Sequence, residues 1–237
     1  MSAKLDVSVF DHDALRHRGY LYTTNASLSS QLATQRTTDI IQLQLTGRSV
    51  LDIGCGDGFY IIRFFDRGSP RKITGIDASQ EAIRIASINK QGRPIQFVVG
   101  DARRLPFPDN SFDLALIQSI LHHSDSPLDI VREAFRVAPE IVIHEPNGNN
   151  LAVKVIEKLS RYHREHQEKS YTSYQIRNWV RNVGGEVTYE RFAGFVPMFC
   201  PDRIAKVMKA VEPVVERIPL LNFLACAVVV LVAKRSA

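Results

Sequence analysis

The sequence predicts an α/β fold, a doubly wound sheet with helices on both faces, and three observations carry that prediction. Short apolar runs alternate with segments of helical period through the middle of the 237-residue chain. The first run, Val50-Leu51-Asp52-Ile53, ends in Gly54-Cys55-Gly56-Asp57-Gly58, three glycines on alternate positions followed by an apolar helix pattern. Finally, several of the later runs end in a carboxylate or a polar residue, as strands do when their carboxyl ends meet a ligand.

The elements follow in order. Residues 1–28 are mixed, with His12, His17, Tyr20 and Tyr22 among polar neighbours. Ser29 or Ser30 is placed to cap a helix through Leu32, Ile40, Ile41 and Leu45 to Gly47. Residues 50–53 form the first strand. The glycine turn lets the backbone bend sharply and come close to a ligand, and the pattern Ile61, Ile62, Phe64, Phe65 starts a helix whose first N–H groups face the same space. Residues 72–76 make a second strand ending at Asp77, 79–89 a helix with Ala82, Ile83 and Ala86 inward, and 95–99 a third strand ending at Gly100-Asp101. A fourth strand spans 112–117. Ser126-Pro127-Leu128-Asp129 reads as a capped helix start, and 141–144 as a fifth strand.

Downstream, Ala152, Val155, Ile156 and Leu159 share one helix face, and Thr172 with Gln175 can cap a helix carrying Ile176, Trp179, Val180 and Val183. Residues 186–192 alternate as a strand. A helix over 202–211, with Ile204, Val207, Met208 and Val211 inward, is expected to break at Pro213, and 225–233 to form the last strand.

Composition narrows the function class. Hydrophobic residues make up 45% and charged residues 23%, ordinary for a soluble globular protein, and the net charge of +5 comes without any run of five like charges. Nucleic acid is therefore not favoured as a partner. Cys55, Cys200 and Cys226 are odd in number and far apart, which suggests neither a disulfide framework nor a zinc site. His163-x-x-His166 with Glu165 reads as a solvated helix face, so no metal is expected. The longest apolar run, 220–233, is interrupted by Asn222 and too short to span a bilayer. With no apolar signal core at the N-terminus, a cytoplasmic setting is expected.

The glycine turn reads G-x-G-x-G, because position 59 is Phe; it lacks the third glycine of a dinucleotide fingerprint and the Lys-Ser/Thr of a P-loop. Asp52 and Asp57 place negative charge where a phosphate reader would place amides and a cation. The expected ligand is nucleoside-like and cationic. The stretch 50–58 resembles motif I of the class I S-adenosylmethionine-dependent methyltransferases, and the segment Pro106-Phe107-Pro108-Asp109-Asn110-Ser111-Phe112-Asp113-Leu114 extends the resemblance, which runs over about residues 50–147. Asp109 and Asp113 themselves read as turn and strand-start structure.

The resemblance implies a Rossmann-like seven-stranded sheet of order 3-2-1-4-5-7-6 with strand 7 antiparallel. This chain would add a helical insertion between strands 6 and 7, at 197–219. A single methyltransferase domain over 1–237 is expected: an arm and helix at 1–47, a cofactor-binding half at 48–147 and an acceptor-side half at 148–237. The implied cofactor is S-adenosyl-L-methionine, giving S-adenosyl-L-homocysteine. Its binding residues would be Asp52, Gly54, Cys55, Gly56, Asp57, Asp77, Ala78, Asp101, Ala102, Gln118 and Ser119. Asp77 would accept from both ribose hydroxyls, Asp101-Ala102 would meet the adenine, and Asp52 would meet the amino group at the methionine end.

Methyl transfer from a sulfonium needs mainly alignment, and needs a base only for a weakly acidic acceptor. His122 or His123, after strand four, is the candidate base, and Glu145 a second catalytic candidate for orienting the acceptor. Tyr20, Tyr22, Asn147, Phe195 and Phe199 are candidates for the acceptor pocket. The N-terminal arm can serve as a flap over the cofactor. The order Cys200-Pro201 is the reverse of the Pro-Cys of cytosine methyltransferases, and no Asn/Asp-Pro-Pro-aromatic motif of DNA amino-methylation occurs. The expected activity is methylation of a small-molecule acceptor, on oxygen in preference to carbon or nitrogen, the acceptor being a natural product, sugar, quinone or lipid-like metabolite. Two alternatives stand beside it: a cofactor-binding member that is inactive or runs a non-methyl reaction such as a cyclisation, and a nicotinamide-dependent oxidoreductase.

Overall fold

The seven strands form one sheet of order β3-β2-β1-β4-β5-β7-β6 in a computed structural model that describes residues 8–20, 23, 27–68, 70–160 and 169–236. The parallel part is β1 (Ser49–Ile53), β2 (Lys72–Asp77), β3 (Gln96–Val99), β4 (Leu114–Gln118) and β5 (Glu140–Pro146); β7 (Val228–Arg235) runs antiparallel between β5 and β6 (Gly185–Ala193). The helices are α1 (Ser8–His17), α2 (Leu28–Leu45), α3 (Phe59–Asp66), α4 (Gln80–Asn89), α5 (Pro127–Val137), α6 (Leu151–Leu159), α7 (Ser173–Asn182), α8 (Asp202–Arg217) and α9 (Pro219–Ala225).

Strand alternation divides the core into two layers. Leu51 and Ile53 of β1, with Ala115, Ile117, Ile141 and Ile143, pack against Ile130 and Val131 of α5 and Ile176 and Val180 of α7. Val50, Leu114, Leu116 and Val142 face the other way, onto Ile40, Ile41 and Leu45 of α2 and Ile61 and Phe64 of α3. The register pairs Asp77 with Val99 and Gln118 with His144, so the carboxyl ends of the five parallel strands come out along one edge. Asp113 and Asp109 serve structure at the opposite end and beside it. Asp113 accepts the Ser49 N–H (2.7 Å) and pairs with Arg71 (3.0 Å), and Asp109 pairs with Arg136 (2.8 Å).

Local chemistry departs from the sequence reading at several places. The N-cap of α2 is Ser27, whose hydroxyl accepts the Ser30 N–H at 3.2 Å; Ser29 instead donates to the Met198 carbonyl at 2.8 Å. Ser126 holds the N-cap position of α5 without a side-chain bond to the helix, and Pro127 supplies the helical start. Thr172 and Gln175 do form a reciprocal capping box on α7. The last apolar run divides into helix α9 and strand β7, so the strand starts at Val228 and not near 225.

Helix α8 differs most. It passes through Pro213 to Arg217, and its buried residues are Ala205, Glu212, Val215 and Glu216, while Ile204, Val207 and Val211 are exposed. The two glutamates set that orientation. Glu216 pairs with Arg36 (3.1 Å) and Arg191 (2.8 Å) and accepts the Gly194 N–H, and Glu212 accepts the Phe195 N–H at 3.0 Å and pairs with Lys209. Glu212 sits just before the proline and Glu216 beyond it, and their bonds tie the end of α8 to α2, β6 and the loop after β6. The proline forgoes one backbone bond, and the three partners of Glu216 on its far side offset it. The segment holding His163, Glu165 and His166 lies outside the described residues.

Candidate functional site

The strand ends, the glycine turn and the arm around α1 enclose a cavity of about 400 Å³. Gly54 and Gly56 hold φ of +78° and +56°, a region side chains rarely adopt. A Cβ on Gly54 would lie 1.9 Å from Ile120 Cγ2, and one on Gly56 would lie 2.7 Å from the Tyr20 ring. The turn is tied to β2: the Gly54 and Cys55 N–H groups donate to the Ile76 carbonyl (2.8 and 3.1 Å), and the Gly56 N–H donates to Asp77 Oδ2 (2.9 Å).

All eleven residues expected at a cofactor seat line this one cavity. Their engagements differ. Asp57 is spent on structure: Oδ1 accepts the Phe59 N–H at the head of α3, and Oδ2 accepts the Tyr20 N–H (3.0 Å) and the Thr23 hydroxyl. Asp77 accepts N–H bonds from Gly56 and Ser79, with the Ala78 N–H also engaging it, and its two oxygens keep lone-pair capacity for a hydroxyl donor. Asp101 is exposed and held by Arg103 (2.8 Å), which also lines the cavity and keeps the carboxyl below its usual range.

Asp52 Oδ1 and Gln118 Oε1 are buried acceptors with no hydrogen-bond partner among the described residues, and both residues border the cavity. Burial, with the Asp77 charge adding, pushes the Asp52 carboxyl up to about 7. Burial first, then the neighbouring aspartates, raise the Cys55 thiol (Asp77, Asp52 and Asp57) and the Tyr20 phenol (Asp77 and Asp57). Three acids gather at the turn, and Arg103, the one lysine or arginine among the cavity-lining residues, is paired with Asp101. Such a field suits a cationic ligand and opposes a pyrophosphate. Two glycines that leave room, two unsatisfied acceptors and a strand-end carboxylate fit S-adenosylmethionine in kind: an ammonium at Asp52 and ribose hydroxyls at Asp77.

After β4 the chain makes a tight turn, with Ser119 at φ +57° and a short helical turn over Leu121–His123. Glu145, 1% exposed on β5, holds that turn: Oε1 accepts the N–H groups of Ile120 (2.9 Å) and Leu121 (2.8 Å), and Oε2 meets His122 Nδ1 at 2.7 Å. A carboxylate that only accepts fixes the Nδ1–H tautomer of His122. Both histidines line the cavity; their ring centroids are 4.0 Å apart, and Phe10 of α1 packs edge-on to His123 at 5.2 Å. Glu145 does not line it, so its place is behind His122 and not against an acceptor.

The acceptor candidates separate. Tyr20 lies over Gly56 in the cavity wall, and Tyr22 lies outside the described residues. Asn147 is a correction: its amide is buried, donates to the Phe223 and Cys226 carbonyls (2.9 Å each) and accepts from Asn149, so it closes a loop. Phe195 and Phe199 do not line the cavity either, and Phe199 is 69% exposed. Met198, between them, does, with Phe10, Ile120, Ile130 and Pro146 completing an apolar wall. Residues 195–199 are irregular backbone, with bends at 196, 198 and 199, so residue order alone does not tell which of their side chains face the cavity. Thr23 and Ser79 were also unforeseen; the Ser79 cap position after a strand-end aspartate was their only sign.

Comparison with known proteins agrees with this geometry. Residues 51–140 match the family model described as a methyltransferase domain. Over 128 residues the chain is 34% identical to the 27-O-demethylrifamycin SV methyltransferase of Amycolatopsis mediterranei, covering 51% of this chain and 46% of that one. Over 182 residues it is 29% identical to the demethylmenaquinone methyltransferase of Thermotoga maritima, covering 74% and 73%. The chain spans about half the length of the first curated relatives it matches, 52% and 46%. In three dimensions it superposes on a chain of the complex between the Haloferax volcanii Trm112 methyltransferase activator and a methyltransferase. The TM-score is 0.68 at 18% identity, over 96% of each chain. With motif I, its strand-end acids and this sheet order together, the match over residues 51–140 identifies a methyltransferase domain of the class I, S-adenosylmethionine-dependent type.

Proposed function

We propose that this chain methylates a hydroxyl of a small, largely apolar acceptor, with His122 as general base. The observation that carries the reading is the Glu145–His122 contact in the cavity wall. With Nδ1–H committed to the carboxylate, Nε2 is the basic ring nitrogen, the one that takes up a proton. Glu145 stabilises the imidazolium that forms, as the carboxylate of a hydrolase triad does for its histidine. Bound S-adenosylmethionine supplies an electrophilic methyl and a neutral leaving group. The chain's own part is alignment: Asp52, Asp77 and the glycine turn hold one partner, and Phe10, Ile120, Ile130, Pro146 and Met198 hold the other and keep water out.

The preference for an apolar acceptor rests on that wall, and the named relatives, which act on a rifamycin and on demethylmenaquinone, agree with it. Oxygen is favoured over carbon or nitrogen because a positioned base serves a hydroxyl most. The test is methyl release from labelled cofactor over a panel of apolar phenols, enols and fatty acids, with S-adenosylhomocysteine calorimetry alongside. Binding together with transfer to a hydroxyl acceptor, lost in His122→Ala, supports the reading. Binding without transfer to any acceptor class would favour a non-methyl or inactive role, and transfer that survives His122→Ala within tenfold removes the base.

A further inference from the structure

Helix α8 carries three lengthwise stripes, because residues three and four apart share a face. Ala205, Glu212, Val215 and Glu216 are buried against α2 and β6. The next stripe, Ile204, Val207, Val211, Val214 and Ile218, is apolar and exposed, Val207 at 65%. The stripe beyond it carries Arg203, Lys206 and Arg217, all exposed.

Two neighbours widen the apolar surface. Helix α9 packs against both α8 and α6 and exposes Leu220 (70%), Leu221 and Leu224. Helix α6 has no buried residue and exposes Leu151 (75%), Val155 and Leu159, with Lys158 exposed beside them. Scattered exposed apolar side chains need no explanation, but exposed apolar stripes on three helices in contact, α8 with α9 and α9 with α6, do. The exposed charges on these helices are Lys158, Arg203, Lys206 and Arg217, against Asp202 alone; Glu157 is paired with Lys154, and Glu212 and Glu216 are buried.

We propose that this face docks on an anionic lipid bilayer surface. Exposed apolar side chains flanked by lysine and arginine, on neighbouring helices, match a headgroup–acyl boundary. A second copy of the chain fits less well. The α8 stripe has coiled-coil spacing, but Arg203 and Arg217 would flank the seam on both partners, with Asp202 the only exposed acid on α8 to answer them. Among the described residues no helix is long and apolar enough to cross a membrane, so the contact is with the surface.

The position fits the cavity. Pro146 and Met198 line it, and the chain leaves them for α6 and α8 respectively, so both helices lead away from the apolar wall. A docked molecule would hold that wall near lipid, where an apolar acceptor is concentrated. The docking itself stands on the surface, independent of the transfer chemistry.

The test is co-sedimentation of the full chain with vesicles of mixed phosphatidylglycerol and phosphatidylcholine, and with phosphatidylcholine alone, at low and high salt. One variant is Val207→Asp with Val211→Asp; the other is Arg203→Glu, Lys206→Glu and Arg217→Glu. Both replace exposed side chains, so melting temperature and S-adenosylhomocysteine affinity should be unchanged. We expect salt-sensitive binding to the mixed vesicles alone. The three charge reversals should weaken it by at least about a hundredfold, since three basic charges are lost at about fivefold each near an anionic surface and three acidic ones are added, and the aspartates should abolish it. No sedimentation, or binding equal in the variants, overturns the proposal. So does a dimer in light scattering that the aspartates dissolve, which would assign the face to a second copy.

Discussion

Replacing Glu145 by glutamine should reverse the polarity of His122 while leaving the fold and the cofactor seat in place. The glutamine Oε1 keeps the two backbone bonds from Ile120 and Leu121. Its amide then meets Nδ1 as a donor, where the carboxylate accepted. Nδ1 becomes the acceptor, the proton moves to Nε2, and the nitrogen assigned to receive a proton now holds one.

The stability change is the difference between a hydrogen bond to a charged group and a neutral one, about 1–2 kcal/mol. For a chain of this size that lowers the melting temperature by roughly 2–8 °C. Alanine would be a poor probe. It strands two buried backbone donors at about 1–3 kcal/mol each, a large part of the ~5–15 kcal/mol that holds a domain together. The loss of a positioned base should cost roughly 10²–10⁴ in transfer rate, with S-adenosylhomocysteine affinity within twofold of the parent. Long-range ¹H–¹⁵N correlation of labelled histidine reads the tautomer directly and needs no acceptor. If the His122 proton stays on Nδ1 in E145Q, or if the rate falls less than tenfold with the proton on Nε2, the base assignment is wrong.

Four further outcomes concern the residues around the cavity. Asp52, pushed up to about 7 by burial and Asp77, favours the folded protein in its protonated form. The stability this brings is full below the ordinary carboxylate value and is lost as pH rises through about 7, a swing on the order of 4 kcal/mol; urea unfolding of the ligand-free protein should show it and Asp52→Asn should flatten it. An ammonium drawn to Asp52 should displace its proton, so S-adenosylhomocysteine binding near pH 6 should release protons, read by calorimetry in buffers of different ionisation heat. Gly54→Ala should cost about 2–5 kcal/mol, joining a left-handed backbone to overpacking on Ile120, whereas Gly47→Ala, at φ +72° with open space, should cost only about 1–2. Asp77→Ala should weaken S-adenosylhomocysteine by about 1.5–3 kcal/mol in a folded protein, and an unchanged affinity would refute the ribose assignment.

The cofactor side was readable because backbone constraints and sheet register leave few choices. Glycines at 54 and 56 announce a positive φ, and a strand that alternates between two packed helix layers must end where its neighbours end. Asp52, Asp77 and Gln118 therefore reach one edge whatever their side chains do. The acceptor side depends on which way a side chain turns in irregular backbone. Asn147 and Glu145 are two residues apart, and both are buried behind the wall. One braces the loop before α6, the other braces His122, and nothing in their order distinguishes those tasks from contact with a substrate.

Helix α8 shows the same limit in a regular element. Its apolar residues keep a clean helical period, and on that period alone they belong inside. Period gives the angle between stripes but not which stripe faces the core, and here two glutamates decide. Burying Glu212 and Glu216 is unfavourable in itself, so their orientation requires the partners it has: Arg36, Arg191, Lys209 and the amides of Gly194 and Phe195. Apart from Lys209 on α8 itself, those partners come from α2, β6 and the loop that carries Met198 into the cavity. The ionic cluster therefore fixes two things together, the seating of the loop that supplies Met198 and the outward turn of the apolar stripe. A hydrophobic core in its place would hold α8 equally well but would draw Ile204, Val207 and Val211 inward. An apolar face kept outside by buried charge needs a physical reason beyond folding, and contact with a lipid surface beside an apolar pocket supplies one.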